Sequence, residues 1–201
     1  MNIKTLGIDL AKNIFQLHGA DNLGNGVLKK TLTRNKLTET IANLPKCQIV
    51  MEACGGANHW ARKFNGYGHD VRLISPQFVK PFVKSNKNDR NDAEAIVEAA
   101  SRPSMRYVSA KTIEQQDLQS LLRLREGCIE MRTKMHNQLR GLLAEYGIAI
   151  PQGISHLRKA LPKLFDREKE NELTAALKEM LEMQHNLLVT MEKQMARFNS
   201  G

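Results

Sequence analysis

A chain of 201 residues, 41% hydrophobic and 25% charged, is long enough to bury one or two apolar cores without disulfides or structural metals. Lysine and arginine number 30 against 21 acids, a formal charge of +9, and such a surplus favours polyanionic partners because phosphate neutralisation releases counterions. Cys47, Cys54 and Cys128 stand far apart with no C-x-x-C pair, which excludes a disulfide scaffold or zinc ribbon and fits a reduced, cytosolic setting. With no long apolar leader and no run of about 18 apolar residues, the expectation is a chain neither exported nor membrane-spanning. Through residue 110 there are 16 basic and 9 acidic residues, and beyond it 14 and 12, so the first half is the expected nucleic-acid-facing half.

In chain order, residues 3–10 read as an apolar strand that delivers Asp9 at its end, and residues 13–19 as a second strand. The turn formers of 21–26 lead into a third strand over 27–33, completing an antiparallel meander. Helical character over 36–44, a short buried strand at 48–51, a helix over 58–64 and a strand over 70–74 follow, stopped by Ser75-Pro76. This alternation implies parallel pairing after the meander. A further helix is expected over 92–100, closing near Pro103.

From about Lys111 glycine and proline become scarce and apolar residues recur at three and four. Leu121, Leu124, Cys128, Met131, Met135, Leu139, Leu142 and Tyr146 would stripe one long helix, ended by Gly147 and Pro151. A helical stretch over 155–165 leads to a second stripe, Leu173, Leu177, Met180, Leu187, Met191, Met195 and Phe198. Two long amphipathic helices predict an antiparallel hairpin, either an ordinary bundle core or a coiled coil pairing with a second copy; four-four steps such as 131/135/139 break a strict heptad.

Four acids stand out within the basic half. Asp9 ends the first strand, Glu52 sits at the end of the buried run Ile49-Val50-Met51, and Asp89 and Asp92 lie at i and i+3 where a helix opens. Neighbouring parallel strand ends point into one crevice, so the four carboxylates can face one point. Their concentration is costly unless divalent cations offset it, and hard oxygen ligands suit Mg²⁺ or Mn²⁺. Two such ions can activate the attacking oxygen and stabilise the leaving oxygen in phosphodiester cleavage. Each acid also has an ordinary reading: Asp9 as a turn cap, Asp89 as an N-cap, Asp92 as a residue favoured by the helix dipole. Spacing leaves both readings open.

Gly7-Ile8-Asp9-Leu10-Ala11-Lys12, Met51-Glu52-Ala53-Cys54-Gly55 and Lys87-Asn88-Asp89-Arg90-Asn91-Asp92-Ala93, taken in order, resemble the Piv/MooV-type insertion-sequence transposases. That resemblance implies an α/β, RNase H-like (RuvC-like) catalytic domain over residues 1–108, followed by a long helical, coiled-coil-like region over 109–201. It implies Mg²⁺ (or Mn²⁺) at Asp9, Glu52, Asp89 and Asp92, DNA strand cleavage and exchange, and guidance by a structured bridge RNA. It also implies a second conserved domain bearing a nucleophilic serine. Nothing before Gly201 matches that domain, so the chain is expected to be a fragment that binds metal and nucleic acid without recombining DNA alone, with dimers or higher oligomers forming through the helical region.

Residues 77–88 interleave Lys80, Lys84 and Lys87 with Phe78 and Phe82, between Arg72 upstream and Arg90 downstream. These five cations are the expected nucleic-acid contacts, while Phe78, Val79, Phe82 and Val83, at i, i+1, i+4 and i+5, read better as core. Arg123, Arg125, Arg132, Lys134 and Arg140 are mixed with acids and read as a solvated face. His59, His136, His156 and His185 lack ligand spacing and carry no assigned role. Competing readings are a metal-dependent Holliday-junction resolvase of the same fold, with water as nucleophile, and a non-enzymatic nucleic-acid-binding coiled-coil protein. An actin-like kinase shares Gly-Ile-Asp but needs a later Asp-x-Gly-Thr loop that is missing.

Overall fold

A computed structural model describes residues 2–83, 89–165 and 173–199, the side chains of 89–91 and 199 excepted. The chain divides into two compact units, Met1–Glu114 and Gln115–Gly201.

The first unit is a mixed six-stranded sheet, ordered β3-β2-β1-β4-β5-β6. β1 (Thr5–Asp9), β2 (Ile14–Ala20) and β3 (Gly26–Thr33) form the antiparallel meander. Its second turn is held by the Asp21 carboxylate, which accepts from the backbone N–H groups of Leu23 at 2.8 Å and Asn25 at 2.9 Å. β4 (Gln48–Glu52) adds parallel to β1, β5 (Asp70–Ile74) adds parallel to β4, and the short β6 (Tyr107–Val108) returns antiparallel. That last edge strand goes beyond the sequence reading, because two residues are too few to show a period.

Helices cover both faces. α1 (Arg34–Ala42) and α2 (Ala57–Gly66) pack Leu37, Ile41, Trp60, Ala61 and Phe64 against Leu6, Ile8, Phe15, Leu17, Ile49, Met51 and Leu73. On the opposite face, α3 (Pro76–Val79), a 3-10 turn at Lys80–Phe82 and α4 (Asp89–Ala100) surround Val50 and Ile74. Alternate residues of a strand point to opposite faces. β4 is therefore apolar on both sides: Ile49 and Met51 face α1 and α2, and Val50 faces α4. This explains why its sequence shows no alternation. Buried His69 ties α1 to the strand ends: its Nδ1 accepts from the Cys47 N–H at 3.3 Å, which leaves Nε2 to donate to the Ile41 carbonyl at 3.0 Å.

The second unit is helical: α5 (Ile113–Ala144, its first two residues counted with the first unit), α6 (Ile154–Leu164) and α7 (Ala175–Asn199). Its core is a three-helix cluster of Leu139 and Leu143 from α5, Leu157 and Leu161 from α6, and Leu181 and Leu188 from α7, not a two-helix seam. The sequence stripes meet the buried faces only in part: Met135 and Leu139 of the first and Leu173, Leu177, Met191 and Met195 of the second are buried or partly buried, and most of the other members are exposed. Leu142 is 45% exposed and Leu143 1%, and Met180 and Leu187 are exposed while Leu181 and Leu188 are buried. The reason is local: adjacent apolar residues at 142/143, 180/181 and 187/188 make two stripes about 100° apart equally periodic, and packing in the three-helix core selects one. Leu118, Leu121, Leu122, Leu124 and Met131, in the first part of α5, are exposed. Among the described residues no helix is long and apolar enough to cross a membrane.

Candidate functional site

The parallel pairing of β1 with β4 sets Gly7 beside Val50 and Ile8 beside Met51. Carried one residue further, the same register sets Asp9 beside Glu52. Ile8 and Met51 are buried toward α1 and α2, so by alternation Asp9 and Glu52 project on the α4 side. There α4 lies directly over β1: a Cβ built on Gly7 would stand 2.7 Å from Cγ2 of Val97 and closer still to the carbonyl oxygen of Ala93. Only glycine permits this approach. Asp92 immediately precedes Ala93, so seating α4 on Gly7 brings its carboxylate to the strand ends.

The electrostatics agree with that placement. Glu52 is held above the ordinary carboxylate range first by burial and then by the negative charge of Asp92. The Cys54 thiol is pushed up by burial and then by Glu52 and Asp9. Three carboxylates, Asp9, Glu52 and Asp92, therefore act on a common neighbourhood, with Cys54 among them. A set of hard oxygen donors gathered around one half-buried carboxylate is the donor chemistry a divalent cation satisfies. Among the described residues, no group of three or more His, Cys, Asp or Glu is drawn together tightly enough to hold an ion. Asp89 opens α4 one turn before Asp92, but its side chain lies outside the described residues.

Beyond Glu52 the chain turns sharply: Gly56 takes φ 87° in the left-handed region, and α2 starts there with no side-chain cap. The Cys54-Gly55-Gly56 turn leaves small groups beside the carboxylates, and no atom lies within 4 Å of a Cβ built on Gly55 or Gly56.

The expected basic residues divide. Lys80 is exposed, ending α3 and opening the 3-10 turn that leads from β5 toward α4, on the carboxylate side of the sheet. Lys84 and Lys87 lie outside the described residues, and Arg90 is in α4 with its side chain outside them. Arg72 is not brought to the carboxylates: its Nε donates to Asp70 at 3.0 Å, its guanidinium lies 5.1 Å from the Tyr107 ring, and it lines a cavity with Lys4, Lys46 and Gln48 at the start of the parallel strands. Phe78, Val79, Phe82 and Val83 pack into the core under α4 as the spacing indicated, and Arg102 covers the Phe82 ring at 5.2 Å. Gly7 shapes the site without an assigned role in the sequence reading, and Cys54, read there only as one of the small residues after Glu52, also senses the carboxylates. Their signal was their position, two residues from a carboxylate.

Three comparisons bear on this arrangement. A curated relative from Coxiella burnetii, "Transposase for insertion sequence element IS1111A", is 50% identical over 180 residues, covering 90% of this chain and 49% of the relative. A "Probable family 20 transposase" from Pseudomonas aeruginosa is 44% identical over 197 residues, 98% of this chain and 58% of the relative. The "Transposase for insertion sequence element IS1328" of Yersinia enterocolitica is 45% identical over 184 residues, 92% and 54%. The chain thus spans about half the length of the curated relatives it matches. Among solved structures, "T. thermophilus RuvC in complex with Holliday junction substrate" is similar at a TM-score of 0.38 and 12% identity over 52% of this chain and 98% of that one. The family model DEDD_Tnp_IS110, described as "Transposase", matches residues 6–148. With that match over most of its length and relatives at up to 50% identity across nine-tenths of it, the chain belongs to the DEDD_Tnp_IS110 transposase family.

Proposed function

We propose that the first unit is an RNase H-like (RuvC-like) nuclease domain that cleaves and exchanges DNA strands for an insertion sequence. The observation that carries this reading is the register of β1 and β4, Gly7 beside Val50 and Ile8 beside Met51, whose continuation by one residue would pair Asp9 with Glu52, together with the action of the Asp92 charge on Glu52. The strand order β3-β2-β1-β4-β5, an antiparallel meander continued by parallel strands, and membership of a transposase family support it.

Asp9, Glu52, Asp89 and Asp92 would hold Mg²⁺ or Mn²⁺. Such ions, when bound, supply Lewis-acid activation of the attacking and leaving oxygens of a phosphodiester. The chain's own part is to hold the donors. β1 and β4 fix two carboxylates on a rigid sheet, α4, seated on Gly7, carries Asp92 and has Asp89 in its first turn, and the small Cys54-Gly55-Gly56 turn leaves room for a backbone strand. Lys80, Lys84, Lys87 and Arg90 neutralise the phosphates next to the scissile one. Arg72, facing the other end of the sheet, has a weaker claim to that role. A structured guide RNA selects the DNA. The helical unit, 109–201 by sequence and Gln115–Gly201 by compactness, joins copies of the chain. By itself the 201-residue chain binds metal and nucleic acid without completing recombination, in the reduced cytosolic compartment where it meets DNA.

The test is Mn²⁺ and Mg²⁺ binding by calorimetry for the chain and for Asp9→Ala and Asp92→Ala. Saturable binding lost in both variants is the expected result. Binding that persists unchanged in both refutes the site. Nicking of plain duplex DNA by the chain alone would favour the hydrolytic, resolvase-like reaction over strand exchange.

A further inference from the structure

On the face of the sheet opposite α4, three basic side chains converge on one indole. The Arg34 guanidinium lies 5.1 Å from the Trp60 ring centre, the Lys63 ammonium 5.5 Å, and the His59 ring 5.3 Å. Arg34 also lies 5.9 Å from Phe15, whose ring meets Trp60 edge-on. Trp60 is buried and contributes a fixed π surface, whereas Arg34 and His59 are exposed and Lys63 half-buried. Arg62, next on α2, is anchored by donating to the Lys111 carbonyl at 2.7 Å, and Lys63 by donating to Thr38 Oγ1 at 3.3 Å.

The cluster is under-neutralised. Among the described residues no ion pair engages Arg34, His59 or Lys63. Glu39 is bonded to Lys36 at 2.9 Å, and Glu114 on the exposed start of α5 offsets Arg62 in part, leaving the cluster with a surplus of positive charge. His59, although exposed, is held below the ordinary imidazole range by partial desolvation of its ring and then by Lys63, Arg34 and Arg62, so all three cations act at one place. Cation–π contact orients these groups without removing their charge, and rigidly spaced cations on a stacked, anchored base suit a polyanion more than an isolated ion. The position matches as well. α2 starts at the Gly56 turn beside Glu52, and at about 1.5 Å per residue its residues 59–63 lie roughly 5–10 Å further along the helix.

We propose that Arg34, His59, Arg62 and Lys63 form a second phosphodiester-binding face, on the α1–α2 layer, which grips the nucleic-acid backbone on the side of the sheet away from Lys80. It rests on the reading of the chain as a nucleic-acid enzyme, but on residues separate from the carboxylates.

The experiment is fluorescence anisotropy of the 201-residue chain with a labelled 30-base-pair DNA duplex and, in parallel, a labelled RNA hairpin, each across a salt series. The set Arg34→Gln, Arg62→Gln and Lys63→Gln is compared with Lys159→Gln, Lys163→Gln and Lys193→Gln, which removes equal charge from exposed positions of the helical unit. The expected result is at least about a tenfold loss of affinity for the first set, with a fall of roughly 2–3 in the slope of log Kd against log salt at ~0.9 per DNA phosphate contact, and a change of less than about threefold for the second. Loss on DNA alone, or on RNA alone, assigns the face to that backbone. Equal losses for the two sets overturn the proposal. Since Arg34 and Lys63 also pack on Trp60, Arg34→Lys, Arg62→Lys and Lys63→Arg form a third set, which must keep affinity within about threefold; if it loses as much as the glutamine set, packing and not charge is responsible and the proposal fails. The chain's Mn²⁺ binding and its loss in Asp9→Ala are read separately, so failure of the carboxylate reading leaves this result standing and the reverse also holds.

Discussion

Gly7→Ala is the sharpest test of how the site is assembled. Gly7 has no positive φ, so on backbone grounds alanine would be welcome there: it would reduce unfolded-state entropy and stabilise the fold by about 0.4–1 kcal/mol. The space forbids it. The added methyl would stand 2.7 Å from Cγ2 of Val97 and closer to the Ala93 carbonyl, where carbon atoms prefer about 3.5–4.0 Å, so α4 must withdraw by about 1 Å. Overpacking of this kind costs about 1–3 kcal/mol, which exceeds the entropic gain, and net destabilisation of roughly 1–2 kcal/mol follows. Urea unfolding followed by the emission of the single tryptophan, Trp60 in this unit, measures it as a lower midpoint at unchanged slope. Because α4 also carries Asp92, its withdrawal separates the carboxylates, and Mn²⁺ affinity falls in the same variant. Val97→Ala removes one of the two clashes and leaves the backbone oxygen, so the double variant Gly7→Ala/Val97→Ala recovers part of the loss beyond additivity. A Gly7→Ala protein within about 0.5 kcal/mol of the parent, with metal affinity intact, would refute this account of α4.

Three further outcomes are expected. Glu52→Gln removes a half-buried charge that is also raised by Asp92, so in EDTA the variant melts no lower than the parent, while the stabilisation added by Mn²⁺, about 2.7 kcal/mol at a hundredfold excess over Kd, disappears; a lower melting point in EDTA would mean that the carboxylate makes a structural bond. His136 in α5 is 6% exposed, and neither ring nitrogen has a hydrogen-bond partner among the described residues. Burial first, and Arg132 after it, depress its pKa below 6.5 against the opposing pull of Glu192. The unfolded chain then takes up the proton more readily, so the stability due to neutral His136 is complete above pH 6.5 and is lost as pH falls through the depressed pKa. Far-UV unfolding at pH 7.5 and 5.5 reads this, and His136→Phe should flatten the difference; an equal drop in both proteins rules out His136 as its source. His69→Ala abolishes the bonds that join α1 to Cys47 and leaves the buried Cys47 N–H unsatisfied, while the Ile41 carbonyl still accepts from the Leu44 N–H, a loss of about 1–3 kcal/mol visible in the same tryptophan-monitored unfolding.

The first unit was legible because its signals are local and redundant. The strands from Thr5 to Ile74 are bounded by turn residues, and Glu52 stands out as a charge ending a run, Ile49-Val50-Met51, that is buried on both faces. What the sequence left open was whether Asp9 and Asp92 were caps or partners. That depends on register and on how closely α4 approaches β1, both properties of long-range contacts that no spacing along the chain encodes. The helical unit was legible in kind and only partly in phase: Leu139, Leu173, Met191 and Met195 are buried as the stripes indicated, but Leu142 beside Leu143 and Leu187 beside Leu188 offer two equivalent stripes and packing in the three-helix core breaks the tie. The cluster on α2 was hidden for a related reason. Trp60, His59 and Lys63 look like one helix's ordinary surface until Arg34, 26 residues earlier, folds over the same indole, and four unremarkable residues become a concentration of positive charge. The sheet therefore bears opposite electrostatic problems on its two faces: carboxylates under α4 that call for cations, and cations over Trp60 that call for anions. A phosphodiester strand accompanied by divalent metal satisfies both at once, which is why the two faces should be tested together against nucleic acid and metal, separately and in combination.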